Sequence, residues 1–480
     1  MRFGSLNKGG KIMNKVRTLL IFLCLLVLVQ GLNAQRQYRK LMWGISDANY
    51  GIFDDNNPYA TVDMLNHIRK ERFHLILPRV MREKNIDMWI HVIRPWSWGG
   101  TDPLRYEFGS KSGVFIFTDR GGDRIERVVF EGEVEDPSAY DIVLGRSKFV
   151  NQENYEIMEY VAENPDKVLE SELDLRFIGL RDFVAERNPK RIAVNTIESL
   201  SFPEGSETFT MALTDGISYT DYLQLVKALG DKYAERMVSA EYLILDYLSR
   251  RVASEVVLYG TSGNLRERAR KFSKIVPGVT TLKEIGGGSV IDKDGRRRNR
   301  GNYVIQRGDY IDGWGRRAYV LQKGETGLPP YIQKFWEDVE KIRDILRKNI
   351  KVGPTAGETR ELLINKLEEE GFVHHDRQIY DRCLDPEKTQ VAIDSHAEGK
   401  GILAPRISHL GPKWHWNIKI PLFHTFAIEY FVYMAVPEWD KANNSTGQRL
   451  YVMFHDGGVV TGRGMEIPYP EQSREIQIIQ

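Results

Sequence analysis

The sequence predicts an α/β (α+β) fold in two or more domains, and three observations carry that expectation. Helix-like stretches alternate with short β-rich runs over about residues 60 to 225, the layering of an α/β unit. Amphipathic helices follow, and the stretch from about Phe426 onward is β-rich. The chain has 480 residues, 42% hydrophobic and 28% charged, an ordinary globular composition with enough apolar side chains for more than one core.

The first element reads as an address. Met13 to Arg17 form a basic lead, Leu19 to Val29 is an apolar run of 11 residues, and Leu32-Asn33-Ala34 ends on a small residue suited to cleavage before Gln35. That pattern is a secretory signal peptide over residues 1–34, and eleven apolar residues are short for a bilayer span. Cys24 would leave with it. Cys383 would then stand alone, and one thiol makes no internal disulfide. The expectation is an exported protein, periplasmic or secreted, with no membrane span after cleavage.

Next come an N-terminal extension over 35–60 and an α/β region with a helix from His67 to Glu83 and strands "IDMWIHVI" (86–93), "GVFIFTD" (113–119) and "RIAVN" (191–195). A long helix is expected from Tyr233, because Met237, Ala240, Leu243, Ile244 and Tyr247 share a helical face. Leu265, Ala269, Phe272 and Ile275 suggest a second helix closed by Pro277-Gly278. The Gly286 to Gly288 and Arg296 to Arg298 stretch reads as a solvated loop. A third helix spans Tyr331 to Lys351 on a stripe of Ile332, Phe335, Trp336, Val339, Ile342 and Leu346. A fourth runs from after Thr359 to Glu370, stopped by Gly371. The tail carries "FAIEYFVYMAV", "QRLYVMFHD", "GVVTG" and "REIQII" as strands.

Charge excludes some partners. Lys plus Arg number 67 and Asp plus Glu 66, so the whole molecule lacks the basic field that nucleic-acid or anionic-membrane binding uses. Peptides, small molecules or proteins are the expected partners. There is no G-x-S-x-G elbow, H-E-x-x-H pair, C-x-x-C or phosphate-cradling glycine loop, so serine-hydrolase, zincin and nucleotide-binding readings lose support. Seven of the ten histidines lie between His374 and His455, in the same stretch as Glu429.

Spaced fragments then acquire a pattern. "RNPKRIAVN" (187–195), "ALTDGISYTDYLQLVKALGDKY" (212–233), "MVSAEYLI" (237–244), "VPGVTT" (276–281), "IQRGD" (305–309), "RRAYVLQKGET" (316–326), "DSHAEGKG" (394–401), "FAIEYFVYMAVPEW" (426–439) and "GGVVTGRG" (457–464) follow one another. In that order they resemble the M24 metallopeptidases of the creatinase/aminopeptidase P (Xaa-Pro aminopeptidase) type. The resemblance implies a creatinase-like N-terminal domain over 61–230 and a pita-bread domain over 231–480, in which two pseudo-symmetric halves enclose a cleft. It also implies two divalent ions held by two aspartates, a histidine and two glutamates, hard donors that let the ions share a hydroxide. Relatives of this type commonly form homodimers.

Placed on this chain, the resemblance makes His396 the ligand histidine and Glu429 the first ligand glutamate, and both become the candidate catalytic residues. The second glutamate falls on His455, a changed donor still suited to a transition metal. The family's substrate-side histidine falls on Leu403, leaving His409 or His415 to replace it. The second aspartate falls on Gly313. Asp312 is the remaining candidate aspartate, and its competing reading is a turn residue beside Gly313. Only eight residues, Tyr310 to Arg317, separate "GD" from "AYVL", too few for the family's strand out and strand back at about 3.3 Å per residue.

Three functions remain open. One is a metal-dependent aminopeptidase removing a residue before proline, with Mn, Zn or Co on Asp312, His396, Glu429 and His455. A second is an inactive homologue that binds peptide, protein or a small ligand and needs no metal. The third is a metal-free creatinase-like hydrolase, which would want a base histidine upstream of "GD", where none lies between His91 and His374.

Overall fold

The computed structural model describes residues 62–94, 102, 104–110, 112–144, 175–196, 216–260, 272, 274–313, 316–398, 404–410, 413–439, 449–467 and 475–480. The expected signal peptide, the 35–60 extension and most of the expected helix around Leu265 and Ala269 lie outside these residues. Among the described residues, no helix is long and apolar enough to cross a membrane.

The N-terminal part is α/β. Helices α1 (Val62–Leu75) and α2 (Leu77–Glu83) precede strand β1 (Met88–Ile93), short helix α3 (Leu104–Phe108), and strands β2 (Gly113–Asp119), β3 (Ile125–Gly132) and β4 (Ile142–Val143). Helix α4 (Leu180–Arg187), β5 (Ile192–Val194), α5 (Tyr219–Leu229), α6 (Asp231–Ala234), β6 (Met237–Ser239), α7 (Glu241–Ser249) and α8 (Ala253–Gly260) complete it. The helix expected over His67–Glu83 is broken at Ile76, because Pro78 in the first turn of α2 has no N–H to continue α1.

The strands order as β4-β3-β2-β1-β5-β6 in a mixed sheet. β1 is buried along its whole length because both faces are covered. Trp89, Phe115 and Phe117 pack to one side with α1, α2 and α7, while Met88, Ile90, Val114 and Ile116 pack to the other with α4 and α5. Side chains that alternate from face to face thus feed two cores.

The continuous helix expected from Tyr233 does not form. Met237–Ser239 instead pairs in parallel with β5, satisfying that strand's backbone groups. Ala240, Leu243, Ile244 and Tyr247 are buried as expected, but in or just before the separate helix α7.

The C-terminal part contains two more sheets. Strands β7 (Ser289–Ile291), β8 (Arg297–Arg298), β9 (Tyr310–Gly313) and β10 (Arg316–Val320) precede helices α9 (Pro330–Asn349) and α10 (Ala356–Glu369). Strands β11 (Val373–His374), β12 (Gln390–Ala397), β13 (Arg406–Ser408), β14 (Thr425–Ala435), β15 (Arg449–Thr461), β16 (Gly464–Glu466) and β17 (Gln477–Ile479) follow. One sheet runs β17-β10-β9-β7-β8, the other β11-β12-β14-β15-β16 with β13 on the edge of β12. The expected loop at 286–298 is therefore partly a hairpin, since β7 pairs with both β8 and β9. Gly288, at φ +115°, lies so close to β9 that an added Cβ would stand 2.5 Å from the Asp312 carbonyl oxygen.

Tyr310 to Arg317, expected to be too short for a strand out and a strand back, holds β9 and the start of β10, and β10 continues to Val320. β9 and β10 pair antiparallel with Gly313 opposite Arg316, so two residues connect them and each strand is only four or five residues long. A two-residue connection removes the length that a wider turn would need. The tail strands "QRLYVMFHD" and "GVVTG" are one continuous strand, β15, because β14 offers an unbroken ladder from Thr425 to Ala435. Ile332, Phe335, Val339, Ile342 and Leu346 of α9 are buried, as the stripe predicts, against Val391, Ile428, Tyr430 and Val452.

Candidate functional site

Period two sorts the third sheet into two faces. Val391 and Ile393 of β12, Ile428, Tyr430 and Val432 of β14, and Leu450, Val452 and Phe454 of β15 enter the core with α9 and α10. The intervening residues lie opposite: Ala392, Asp394 and His396 on β12, Glu429, Phe431 and Tyr433 on β14, Tyr451 and Met453 on β15. This second face carries the candidate site.

His396 and Glu429 are brought together. His396 pairs in register with Ala427, which sets its ring diagonally beside Glu429, and its Nε2 stands 3.8 Å from Glu429 Oε1. The ring's Nδ1 lies 2.9 Å from the carbonyl oxygen of Ala397. Burial pulls the imidazole pKa down, but the Glu429 carboxylate outweighs it and holds the pKa above the ordinary histidine value.

Glu429 and His455 are cross-strand partners in the ladder; the His455 side chain lies outside the described residues, as does Leu403. His409 and His415 have other neighbours. Nδ1 of His409 is 3.6 Å from Asp376 Oδ1, and His415 is buried edge-on to Trp414, its pKa pushed down to about 4 by burial and by Arg406.

Asp312 sits within β9, not in a turn, and its Oδ1 is 3.6 Å from Nε of Arg317 across the hairpin. Burial raises its pKa, against the pull of Arg317 and Arg297. Arg317 reaches further, stacking its guanidinium 3.9 Å from the Phe454 ring centre and donating to the Met453 carbonyl at 3.2 Å. The hairpin is thereby tied to β15. Tyr451 stands in the fields of both Asp312 and Glu429, which help hold its hydroxyl pKa up after burial has raised it.

The neighbouring acid of "RGD" has a different job. Asp309 is fully buried, accepts from Gln306 N at 2.7 Å and Tyr303 Oη at 3.1 Å, and is pushed up to about 6 by burial. It braces the turn that launches β9.

Residue-by-residue reading missed Arg317 and the Asp394–Arg406 pair. Asp394 takes Nε of Arg406 at 2.8 Å and Nη2 at 2.9 Å, a bidentate grip two residues before His396. Arg317 lay in the quoted "RRAYVL", but its place opposite Asp312 depends on hairpin register.

A two-ion centre needs several carboxylates whose charge is free for cations. Among the described residues, no three His, Cys, Asp or Glu side chains gather as a metal ion would need. Asp312 already faces a guanidinium. The described donors do not fit a pair of divalent ions.

No family model and no curated protein matches the chain. Solved structures to which it is similar include an X-Pro aminopeptidase from Thermotoga maritima MSB8, at 12% identity and TM-score 0.43, with 84% of this chain and 100% of that one covered. An Xaa-Pro dipeptidase from Bacillus anthracis has 14% identity and TM-score 0.40, covering 86% and 99%. A prolidase from Pyrococcus horikoshii OT3 has 13% identity and TM-score 0.36, covering 87% and 99%. At such overlap the site's chemistry rests on this chain's own residues.

Proposed function

We propose that this chain is an exported protein of the M24 pita-bread type whose cleft binds peptides without two-metal hydrolysis. The observation that carries the reading is the Arg317 guanidinium 3.6 Å from Asp312. A divalent ion on Asp312 would neighbour that guanidinium. Like unit charges about 4 Å apart repel by about 4 kcal/mol at an effective dielectric of about 20, and a doubly charged ion by about twice that. Replacing a metal by a guanidinium keeps the carboxylate neutralised while removing the Lewis acid.

The proposal includes an N-terminal α/β domain whose boundary we draw after α8, because β6 extends the first sheet and α7 and α8 pack in its core. It also includes a leader over 1–34, periplasmic or secreted residence, and a homodimer.

A second reading is favoured by one observation, the convergence of His396 on Glu429 with His455 as the cross-strand partner. There a single Mn, Zn or Co ion would be held by those residues, and the activity would be release of a residue before proline.

Metal analysis of the purified chain, with an Xaa-Pro peptide series and a His396→Ala control, separates them. Peptide binding without stoichiometric metal or turnover supports the first reading. Turnover that chelation and His396→Ala both abolish overturns it for the second, and turnover without metal points to a creatinase-like hydrolase.

A further inference from the structure

The face that carries His396 and Glu429 continues past them into a group of tyrosines and arginines that neither reading uses. Tyr433 and Tyr451, cross-strand partners, stack with ring centres 4.9 Å apart, and Tyr380 closes on Tyr433 at 6.4 Å. Arg449 lies 4.5 Å over the Tyr380 ring and Arg297 5.0 Å over the Tyr451 ring. These aromatic contacts position the guanidiniums.

Two features single the group out. Tyr433 is 4% exposed, yet its hydroxyl meets no hydrogen-bond partner among the described residues. A buried hydroxyl of that kind costs free energy until something supplies the bond. The second feature is charge. Arg449 is partly buried beside a second cation, Arg382, and its pKa is depressed by burial first and by Arg382 next. Among the described residues no carboxylate forms an ion pair with Arg382 or Arg449. Asp385 is the carboxylate whose field reaches Tyr380, and it accepts instead from the backbone N–H of Glu387 at 2.9 Å.

From this geometry we infer a carboxylate-binding subsite formed by Arg449 and the Tyr433 hydroxyl, in the field of Arg382, which takes the free C-terminus of a short peptide or an acidic side chain near it. The inference takes its ligand from the peptide-binding reading above. Planar guanidiniums match a carboxylate's two oxygens, and the tyrosine rings offer apolar walls to the adjoining residue. Spacing supplies the length. Glu429 and Tyr433 are four residues apart on β14, about 13 Å at the strand rise. That span suits an extended peptide of about four residues, with its amine toward Glu429 and its carboxylate toward Arg449.

Calorimetric titration of the purified chain with three peptides tests this: tetra-alanine, its C-terminal amide, and an amidated tetrapeptide carrying glutamate at the third position. The expected result is that tetra-alanine binds about tenfold or more tighter than its amide. Arg449→Gln should erase that preference while leaving amide binding in place. Tyr433→Phe, which keeps the ring, should weaken tetra-alanine several-fold, with circular dichroism showing both variants folded. The glutamate peptide distinguishes the sources: binding like tetra-alanine assigns the subsite to acidic side chains as well, and binding like the plain amide assigns it to the C-terminus. Equal binding of acid and amide, or a preference that survives Arg449→Gln, overturns the subsite and leaves the peptide-binding reading intact. No binding by any peptide overturns both.

Discussion

His396 and Glu429 act as a pair whose charge is held by contact, not by exposure. The folded state raises the imidazole pKa because Glu429 outweighs burial. Stability from the pair is therefore fully present below the unfolded histidine value of about 6.5 and is lost as pH rises through the higher folded value. Glu429→Gln removes the opposing charge and leaves burial in command. The His396 pKa, followed by NMR titration, should then fall below about 6.5, and the associated pH slope of stability should reverse its sign. An unchanged His396 pKa would show that Glu429 is not what holds its proton.

Elements were easiest to anticipate where local chemistry and burial agree. Helix α10 begins on a capping box, with the Thr355 hydroxyl accepting from Glu358 N and the Glu358 carboxylate accepting from Thr355 N at 2.8 Å. The helix begins four residues before the start expected after Thr359, because Thr355-x-x-Glu358 caps it. Thr355→Ala should cost about 1 kcal/mol in chemical denaturation, and Thr355→Ser should recover most of it. The hairpin β9–β10 shows the opposite case. Its acids, Asp309 and Asp312, look alike in sequence, but one is buried on backbone and tyrosine donors and the other lies across a ladder from arginine.

At the scale of the molecule, buried ions join helices distant in sequence. Arg72 of α1 pairs with Glu107 of α3 at 2.5 Å and Glu255 of α8 at 2.9 Å, donates to the Tyr247 carbonyl at 2.6 Å, and lies 4.5 Å over the Tyr247 ring. Removing one member of such a group strands charges in a dry core. Arg72→Met should destabilise by about 3–5 kcal/mol, measured by urea unfolding. Adding Glu107→Gln and Glu255→Gln should recover part of that loss, because the cost is the stranded charge more than the missing attraction. The contact between the N-terminal and C-terminal parts is polar as well as apolar: His424 Nδ1 lies 2.8 Å from the Ser249 carbonyl, and Ala397, Ile418 and Val459 enter the first core.

Residue order by itself determined the α/β class, the strands at 88–93 and 113–119, the buried stripe of α9 and the β14 strand that carries Glu429, because periodicity and side-chain size act over a few neighbours. It also put His396 and Glu429 forward as companions, through the resemblance of "DSHAEGKG" and "FAIEYFVYMAV". Tertiary structure decided what Met237–Ser239 became, since an open edge at β5 outbid a helical stripe. It likewise decided that Asp312 faces Arg317 and that Tyr433, Tyr451 and Arg449 share the face of Glu429. Those outcomes depend on ladder register between segments far apart in the chain, where a shift of one residue would turn every side chain to the other face.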